Sequence, residues 1–172
     1  LSLHDALPIS APGITAQPQN ASVPDGQAAG FAVTATGDAP LAFQWRRNGA
    51  DIAGATGSQY DIAAVTLADD GATFSVAVSN GSGQAVSGIA TLSVTPVAPT
   101  IQAQPASVGV TAGQGATFSV AAVGSAPLGY QWRRDGVDIA GATGPSHTTA
   151  PTVIGDDGAV FRVAQVAGAR QL

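Results

Sequence analysis

The sequence predicts an all-β chain organised as two tandem β-sandwiches, and three observations carry that prediction. The first is self-similarity. FQWRRNGADIAGATG from Phe43 and YQWRRDGVDIAGATG from Tyr130 align without a gap at an offset of 132 − 45 = 87 residues, a period longer than that of solenoid repeats, so each copy should own its core. The second is alternation of apolar with small or polar residues over short runs, the period-two mark of half-buried strands. The third is composition. All 6 basic residues are Arg and all 11 acidic residues are Asp, so Lys and Glu, which favour helix interiors, are missing. The 22 Gly and 11 Pro supply the turns that many short strands need.

Residues 1–11 are read as a non-domain, non-native leader. LSLHDALPIS matches nothing later in the chain and has neither the basic start nor the small-residue cleavage site of an export signal. A sequence without Met is likewise expected to be a fragment or a processed piece. Module one is placed at 12–96 and module two at 97–172. In module one the expected strands are Phe31–Ala35, Leu41–Arg46, Tyr60–Ile62, Phe74–Val78 and Ile89–Val94. Turn signals separate them at Asp25-Gly26, Gly37 to Pro40, Asn48-Gly49, Gly54 to Gly57, Asp70-Gly71 and Asn80 to Gly83. Strands at roughly ten-residue spacing with no helical stretch between them indicate a sandwich. The linker Thr95-Pro96-Val97-Ala98-Pro99 holds two prolines, which favour an extended, semi-rigid connection.

The offset also pairs Ile14 with Ile101, Phe31 with Phe118, Ala39-Pro40-Leu41 with Ala126-Pro127-Leu128, and Asp69-Asp70-Gly71-Ala72 with Asp156-Asp157-Gly158-Ala159. About half of the aligned positions are identical. Module two weakens toward its end: Tyr60, Ile62 and Val65 become His147, Thr149 and Thr152, and the counterpart of Ile89–Val94 would fall past Leu172. Its last strand is therefore expected to be missing, and its order to fade beyond about Ala164.

Val33-Thr34-Ala35-Thr36-Gly37 is followed by Trp45 at 45 − 33 = 12 positions, and Asp70-Gly71-Ala72-Thr73-Phe74-Ser75-Val76 precedes the turn Asn80-Gly81-Ser82-Gly83. Together these stretches resemble the immunoglobulin-like superfamily, in particular the I-set-like modules strung along bacterial secreted and surface proteins. The resemblance covers nearly all of 12–96 and, more weakly, 99–164. It implies immunoglobulin-like Greek-key sandwiches with Trp45 and Trp132 buried. It also implies that Val33 with Val76, and Val120 with Val163, stand where the family has its cross-sheet disulfide. Each module then forgoes the roughly 2–4 kcal/mol that such a bond supplies. Phe74 and Phe161 take the place of the family's corner Tyr. With Phe43 and Tyr130 in the inward register beside the indoles, these ten residues form the expected structural core.

The residue inventory offers little to catalysis. Cysteine is absent, which removes thiolate chemistry and zinc-thiolate sites. His4 lies in the leader, and His147 occupies a position that is Tyr in the other copy, so it reads as a core or surface residue rather than a base. The turn Gly54 to Gly57 lacks the Lys of a phosphate loop. Adjacent carboxylates at Asp69-Asp70 and Asp156-Asp157 do not straddle a glycosidic bond, which needs carboxyls about 5 Å or more apart. A side-chain cap at the corner of each module is the favoured reading. A calcium site completed by Asp25, Asp38 or carbonyls is the alternative. One Arg of each pair, Arg46-Arg47 and Arg133-Arg134, should point outward, pairing with Asp51 or Asp138 or meeting an acidic partner or a sugar. Asn20-Ala21-Ser22 and Asn80-Gly81-Ser82 fit the glycosylation pattern, which matters only in a eukaryotic secretory host.

A net charge of −5 argues against nucleic acid as a partner. No apolar run reaches the ~18 residues that span a bilayer, so no membrane insertion is expected of these residues. No catalytic, metal-ligating or cofactor-binding residue is assigned. The expected function is that of a monomeric, non-enzymatic pair of spacer or adhesion modules from a larger protein. The extracellular or cell-surface location follows from the resemblance. Two alternatives stay open. One is recognition of a protein or glycan ligand through the sandwich-end loops holding Asp38, Ala39 and Pro40 and Asn80, Gly81 and Ser82. The other is service as accessory domains of an extracellular hydrolase.

Overall fold

In the first repeat the alternating stretches pair into two facing sheets, seen in a computed structural model that describes residues 9–167. Residues 1–8 of the expected leader lie outside the described residues. The chain divides into two units, Leu1–Thr95 and Pro96–Leu172. The first unit holds β1 (Gly13–Ala16), β2 (Ala21–Pro24), β3 (Ala29–Ala32), β4 (Thr34–Thr36), β5 (Ala42–Arg47), β6 (Ala50–Asp51), β7 (Gln59–Ile62), β8 (Thr73–Asn80), β9 (Gly83–Val86) and β10 (Ala90–Thr95). One sheet runs β2-β10-β8-β5-β6, with β9 also on β8; in the other layer β1 pairs with β4 and β3 with β7. Every pairing is antiparallel except that of β2 with β10. The chain therefore changes sheet between β1 and β2, and the neighbours β2-β10-β8-β5 are far apart in sequence. That is Greek-key connectivity.

The core lies between the sheets. Trp45, Phe74, Val76, Val78, Leu92 and Val94 are fully buried, and Phe31 and Val33 are buried against them from the facing layer. The Phe31 ring stacks on Phe74 at 4.4 Å, and Phe43 is half-buried at the edge of the cluster. Burying each large apolar side chain stabilises by about 1.5–3 kcal/mol, which is what a disulfide-free module must rely on. The single strand expected over Phe31–Ala35 is corrected to two. Val33 interrupts it, donating its N–H to the Ser58 carbonyl at 3.0 Å, while β3 follows β7 and β4 follows β1. The side-chain period survives the change of neighbour; the ladder does not.

The second unit holds β11 (Thr100–Ala103), β12 (Thr117–Ser119), β13 (Ala121–Val123), β14 (Gly129–Arg134), β15 (Val137–Asp138), β16 (Ser146–Thr148) and β17 (Phe161–Ala167). At the 87-residue offset these are the counterparts of β1, β3, β4, β5, β6, β7 and β8. No strand forms at 108–111, opposite β2 in the alignment. In module one β2 has one ladder partner, β10, and the described part of module two holds no counterpart of β10. Val120, Trp132 and Ala142 form its buried cluster, with Phe118, Tyr130 and Val163 packed against them, and Phe161 is half-buried, stacked on Phe118 at 4.5 Å.

β17 pairs with β14 as far as Ala167, with Val166 opposite Tyr130 and a register shift between Gln131 and Trp132. Glycine is required at one repeated place. Gly37 and Gly124 have φ of 133° and 149°, and an added Cβ would stand 3.0 Å from Pro12 Cα in one and 2.7 Å from Pro99 Cα in the other. Only a residue without a Cβ lets the chain leaving β4 or β13 pass under the segment that enters β1 or β11.

Candidate functional site

The two loops singled out as a binding end meet in module one. Asn80 Nδ2 donates to the Asp38 carbonyl at 3.0 Å and to the Ser10 carbonyl at 2.7 Å. Ser10 in turn donates its N–H to Asp38 Oδ2 at 2.6 Å, and Ser82 Oγ donates to the Ile9 carbonyl at 2.6 Å. Gly81 faces the same segment, its would-be Cβ 3.8 Å from Ile9 Cδ1. Ala39-Pro40 is a cis peptide bond, as is Ala126-Pro127. The polar groups of these loops are thus engaged by Ile9 and Ser10, residues that the sequence assigns to the leader. Module two repeats the clasp with other residues. Val97, the counterpart of Ser10, donates its N–H to Ser125 Oγ at 2.8 Å, and Ser125, the counterpart of Asp38, donates its N–H back to the Val97 carbonyl at 2.9 Å.

Each indole is part of an aromatic row and has its own polar anchor. Trp45 Nε1 donates to the Gly57 carbonyl and Trp132 Nε1 to the Gly144 carbonyl, both at 2.9 Å. Tyr60 lies 6.2 Å from Trp45 and 5.8 Å from Phe74. His147 fills the same place in module two, 6.3 Å from Trp132 and 6.1 Å from Phe161. All nine Trp, Tyr and Phe rings of the chain are buried or half-buried.

The paired carboxylates at the corner divide their work. Asp69 Oδ2 accepts from the Thr66 N–H at 2.8 Å and from Thr66 Oγ1 at 2.9 Å, while Asp69 Oδ1 accepts from Arg47 Nη2 at 2.6 Å. Asp70 Oδ1 accepts the Val94 N–H of β10 at 2.8 Å. Module two has the Asp69 arrangement again: Asp156 accepts from the Val153 N–H at 2.8 Å and from Arg134 Nη2 at 2.5 Å. Arg46 pairs with Asp51 at 2.7 Å and Arg133 with Asp138. The second Arg of each pair is the one that sequence reasoning left without a role. Arg47 and Arg134 reach across to the corner Asp and lie 5.9 and 5.8 Å over the rings of Phe74 and Phe161, a partly buried charge set against an aromatic face. Gln44 and Gln131 were missed as well. Their Nε2 groups donate to the carbonyls of Ile52 and Ile139 at 2.7 and 3.0 Å, tying β5 and β14 to the turns that follow them. The signal for both was the QWRR motif itself, identical in the two copies. Among the described residues no three His, Asp, Glu or Cys side chains gather as a metal site would require, and every buried side-chain polar atom has a partner.

The Thr66 backbone N–H, followed by the Arg47 guanidinium, holds the Asp69 carboxyl below the ordinary value of 3.8. The Val153 N–H and Arg134 do the same for Asp156, and Asp156 raises Arg134. Because the folded carboxyl binds its proton less tightly than the unfolded one, the stabilisation is complete above the unfolded pKa of about 4 and is lost as the pH falls through the lower folded value. Asp69→Asn is therefore expected to lower the stability of module one by roughly 1–2 kcal/mol at pH 7. The variant and parent unfolding curves should converge on acidification below about pH 4, which urea titrations across that range would check. A gap that persists unchanged in acid would show that the carboxylate charge is not what matters.

No family model matches the chain. Endoglucanase C of Cellulomonas fimi is 34% identical over 119 residues, covering 67% of this chain and 11% of that protein, so the chain spans about a tenth of that relative's length. Among solved structures, the titin domains Z1Z2 in complex with telethonin align with 91% of this chain and 95% of theirs at 23% identity and a TM-score of 0.48. The tandem Ig repeats of Dlar align over 91% and 95% at 21% identity and a TM-score of 0.44. The strand order shared by the two units, with an indole buried in each and the parallel β2–β10 pair in the first, makes the chain a tandem of immunoglobulin-like β-sandwiches.

Proposed function

We propose that this chain is a monomeric, non-catalytic pair of spacer modules from a larger extracellular protein. What supports the reading is that the chemistry repeated in both copies is occupied in holding the fold. Asp69, Asp70 and Asp156, both Arg of each pair, the indole N–H groups and the rings packed around the indoles have partners inside their own module. A site that binds or reacts presents such groups to solvent in a cleft. These groups face inward or toward one another. Sugar stacking in particular needs an exposed ring. A second reading, accessory domains of a polysaccharide hydrolase, draws support from the stretch shared with Endoglucanase C, because a match over a small share of a long enzyme suits an auxiliary part. It is compatible with a spacer role. The test is to incubate the folded chain with insoluble cellulose and with a panel of soluble glycans. Neither retention nor release of reducing sugar is expected. Retention that Asn80→Ala abolishes would replace the spacer with a glycan-binding module working through the end loops, and sugar release would overturn the non-catalytic reading.

A further inference from the structure

Of the asparagines Asn20, Asn48 and Asn80, the last two precede glycine, as Asn48-Gly49 and Asn80-Gly81. In an Asn-Gly pair the side-chain amide lies open to attack by the following backbone nitrogen, because glycine puts no Cβ in the way. The fold treats the two pairs differently. In the β5–β6 turn Asn48 has φ of 49°, and its Oδ1 is drawn to the neighbouring strand β8, accepting from the Thr73 N–H at 2.8 Å and from Thr73 Oγ1 at 3.2 Å. In the β8–β9 turn Asn80 Oδ1 accepts instead from the Ser82 N–H at 2.9 Å, an Asx turn that folds the amide over the Gly81 peptide. That bond also polarises the side-chain carbonyl. Gly81 and Ser82 are exposed, and the Gly81 N–H has no acceptor among the described residues.

We propose that Asn80 is a self-modification site, where slow deamidation releases the end loops of module one from the segment clasped to them. The Gly81 nitrogen forms a bond to Asn80 Cγ as the Cγ–Nδ2 bond breaks, and Nδ2 leaves as ammonia with the proton that Gly81 gives up. Water then opens the cyclic imide to aspartate or isoaspartate, so the sequence of steps needs no co-reactant but solvent. The consequence follows from which atom holds the clasp. Asn80 Nδ2 makes both donations, to the Ser10 carbonyl at 2.7 Å and to the Asp38 carbonyl at 3.0 Å. A carboxylate can donate to neither. It also sets negative charge beside two carbonyl oxygens and the Asp38 carboxylate, which itself holds the Ser10 N–H. Module two is exempt, since the counterpart of Asn80 at 80 + 87 = 167 is Ala167 and its clasp runs through the Ser125 hydroxyl. Conversion of Asn48 would change little by comparison. Module two already carries Asp135 in that place, accepting the Val160 N–H at 2.8 Å.

The test holds the full, folded chain in mildly alkaline buffer and follows each Asn by peptide mapping and ammonia release, with the chain unfolded in urea as the reference. In urea Asn48 and Asn80 should convert alike. In the folded chain Asn80 should convert about tenfold faster than Asn48, whose oxygen two hydrogen bonds hold away from Gly49, and isoaspartate should be among its products. Gly81→Ala should keep the fold and suppress the conversion, because the added Cβ would meet nothing closer than Ile9 Cδ1 at 3.8 Å yet shields the attacking nitrogen. Asn80→Asp, made directly, should speed amide exchange at Ser10 and Asp38 by about tenfold, as the loss of two hydrogen bonds implies, while the Trp45 emission stays that of a buried indole. The proposal is overturned if Asn80 keeps its amide in the folded chain, or if Asn48 converts as fast. It is overturned equally if Asn80→Asp leaves exchange at Ser10 as in the parent, since the clasp would then not hang on the amide.

Discussion

Trp45→Ala is expected to unfold module one and leave module two folded. The indole is fully buried, it is tilted against Phe31 and Tyr60 at 6.4 and 6.2 Å, and its Nε1 supplies the hydrogen bond that the Gly57 carbonyl receives. Removing an aromatic side chain from such a site costs about 3–5 kcal/mol. A small domain has on the order of 5–15 kcal/mol in all, and here no cross-link restrains the unfolded chain. The measurement is unusually direct, because the chain has 2 Trp, one in each module. In Trp45→Ala the remaining fluorescence comes from Trp132, which should keep its blue-shifted, buried emission while far-ultraviolet dichroism falls. The reciprocal Trp132→Ala should unfold module two, whose buried cluster is smaller, and leave the Trp45 signal unchanged. Changes in separate cores should add. If one substitution collapses both signals, the modules are not independent folding units and the reading of one core per repeat is wrong.

How much of this was legible in the sequence depended on where each element finds its partners. β8 and β10 place fully buried side chains at alternate positions, and β5 seats Trp45 with the partly buried Phe43 two residues before it, so their period of two shows directly in the residues. β1, β6 and β9 have few buried positions and therefore no alternation to read. β6 and β9 exist because a tight turn folds the chain back onto β5 and β8, and β1 because β4 offers it a ladder. The clasp at the end of module one was hidden for a related reason. It joins the backbone of Ser10 to Asp38 and Asn80 across 28 and 70 residues, and in module two the backbone of Val97 has the same role toward Ser125. The carboxylate pair was legible as a structural corner, but its partners Arg47 and the Val94 N–H were not, since a cap announces only its own end. In module two the tyrosine-to-histidine change suggested decay, whereas ring stacking tolerates the imidazole: His147 sits in the aromatic row and Phe118 still pairs opposite it.

Leu92→Ala should bring the stability of module one down toward that of module two. Leu92 is fully buried in the middle of β10, and truncating a core Leu costs roughly 2–5 kcal/mol depending on how far the cavity can collapse. Module one is expected to melt at the higher temperature, because its buried cluster is the larger. In Leu92→Ala the Trp45 transition should fall toward that of Trp132, which is expected not to move. Amide exchange separates two explanations for the missing strand at 108–111. β2 has β10 as its ladder partner, so if pairing alone makes β2 a strand, protection at Ala21–Pro24 should drop by more than at β5, whose partner β8 is still in place. If Ala21–Pro24 stays protected while global stability falls, then β2 is held by its own sequence. The irregular 108–111 would in that case trace to local differences, such as Thr111 where module one has Pro24.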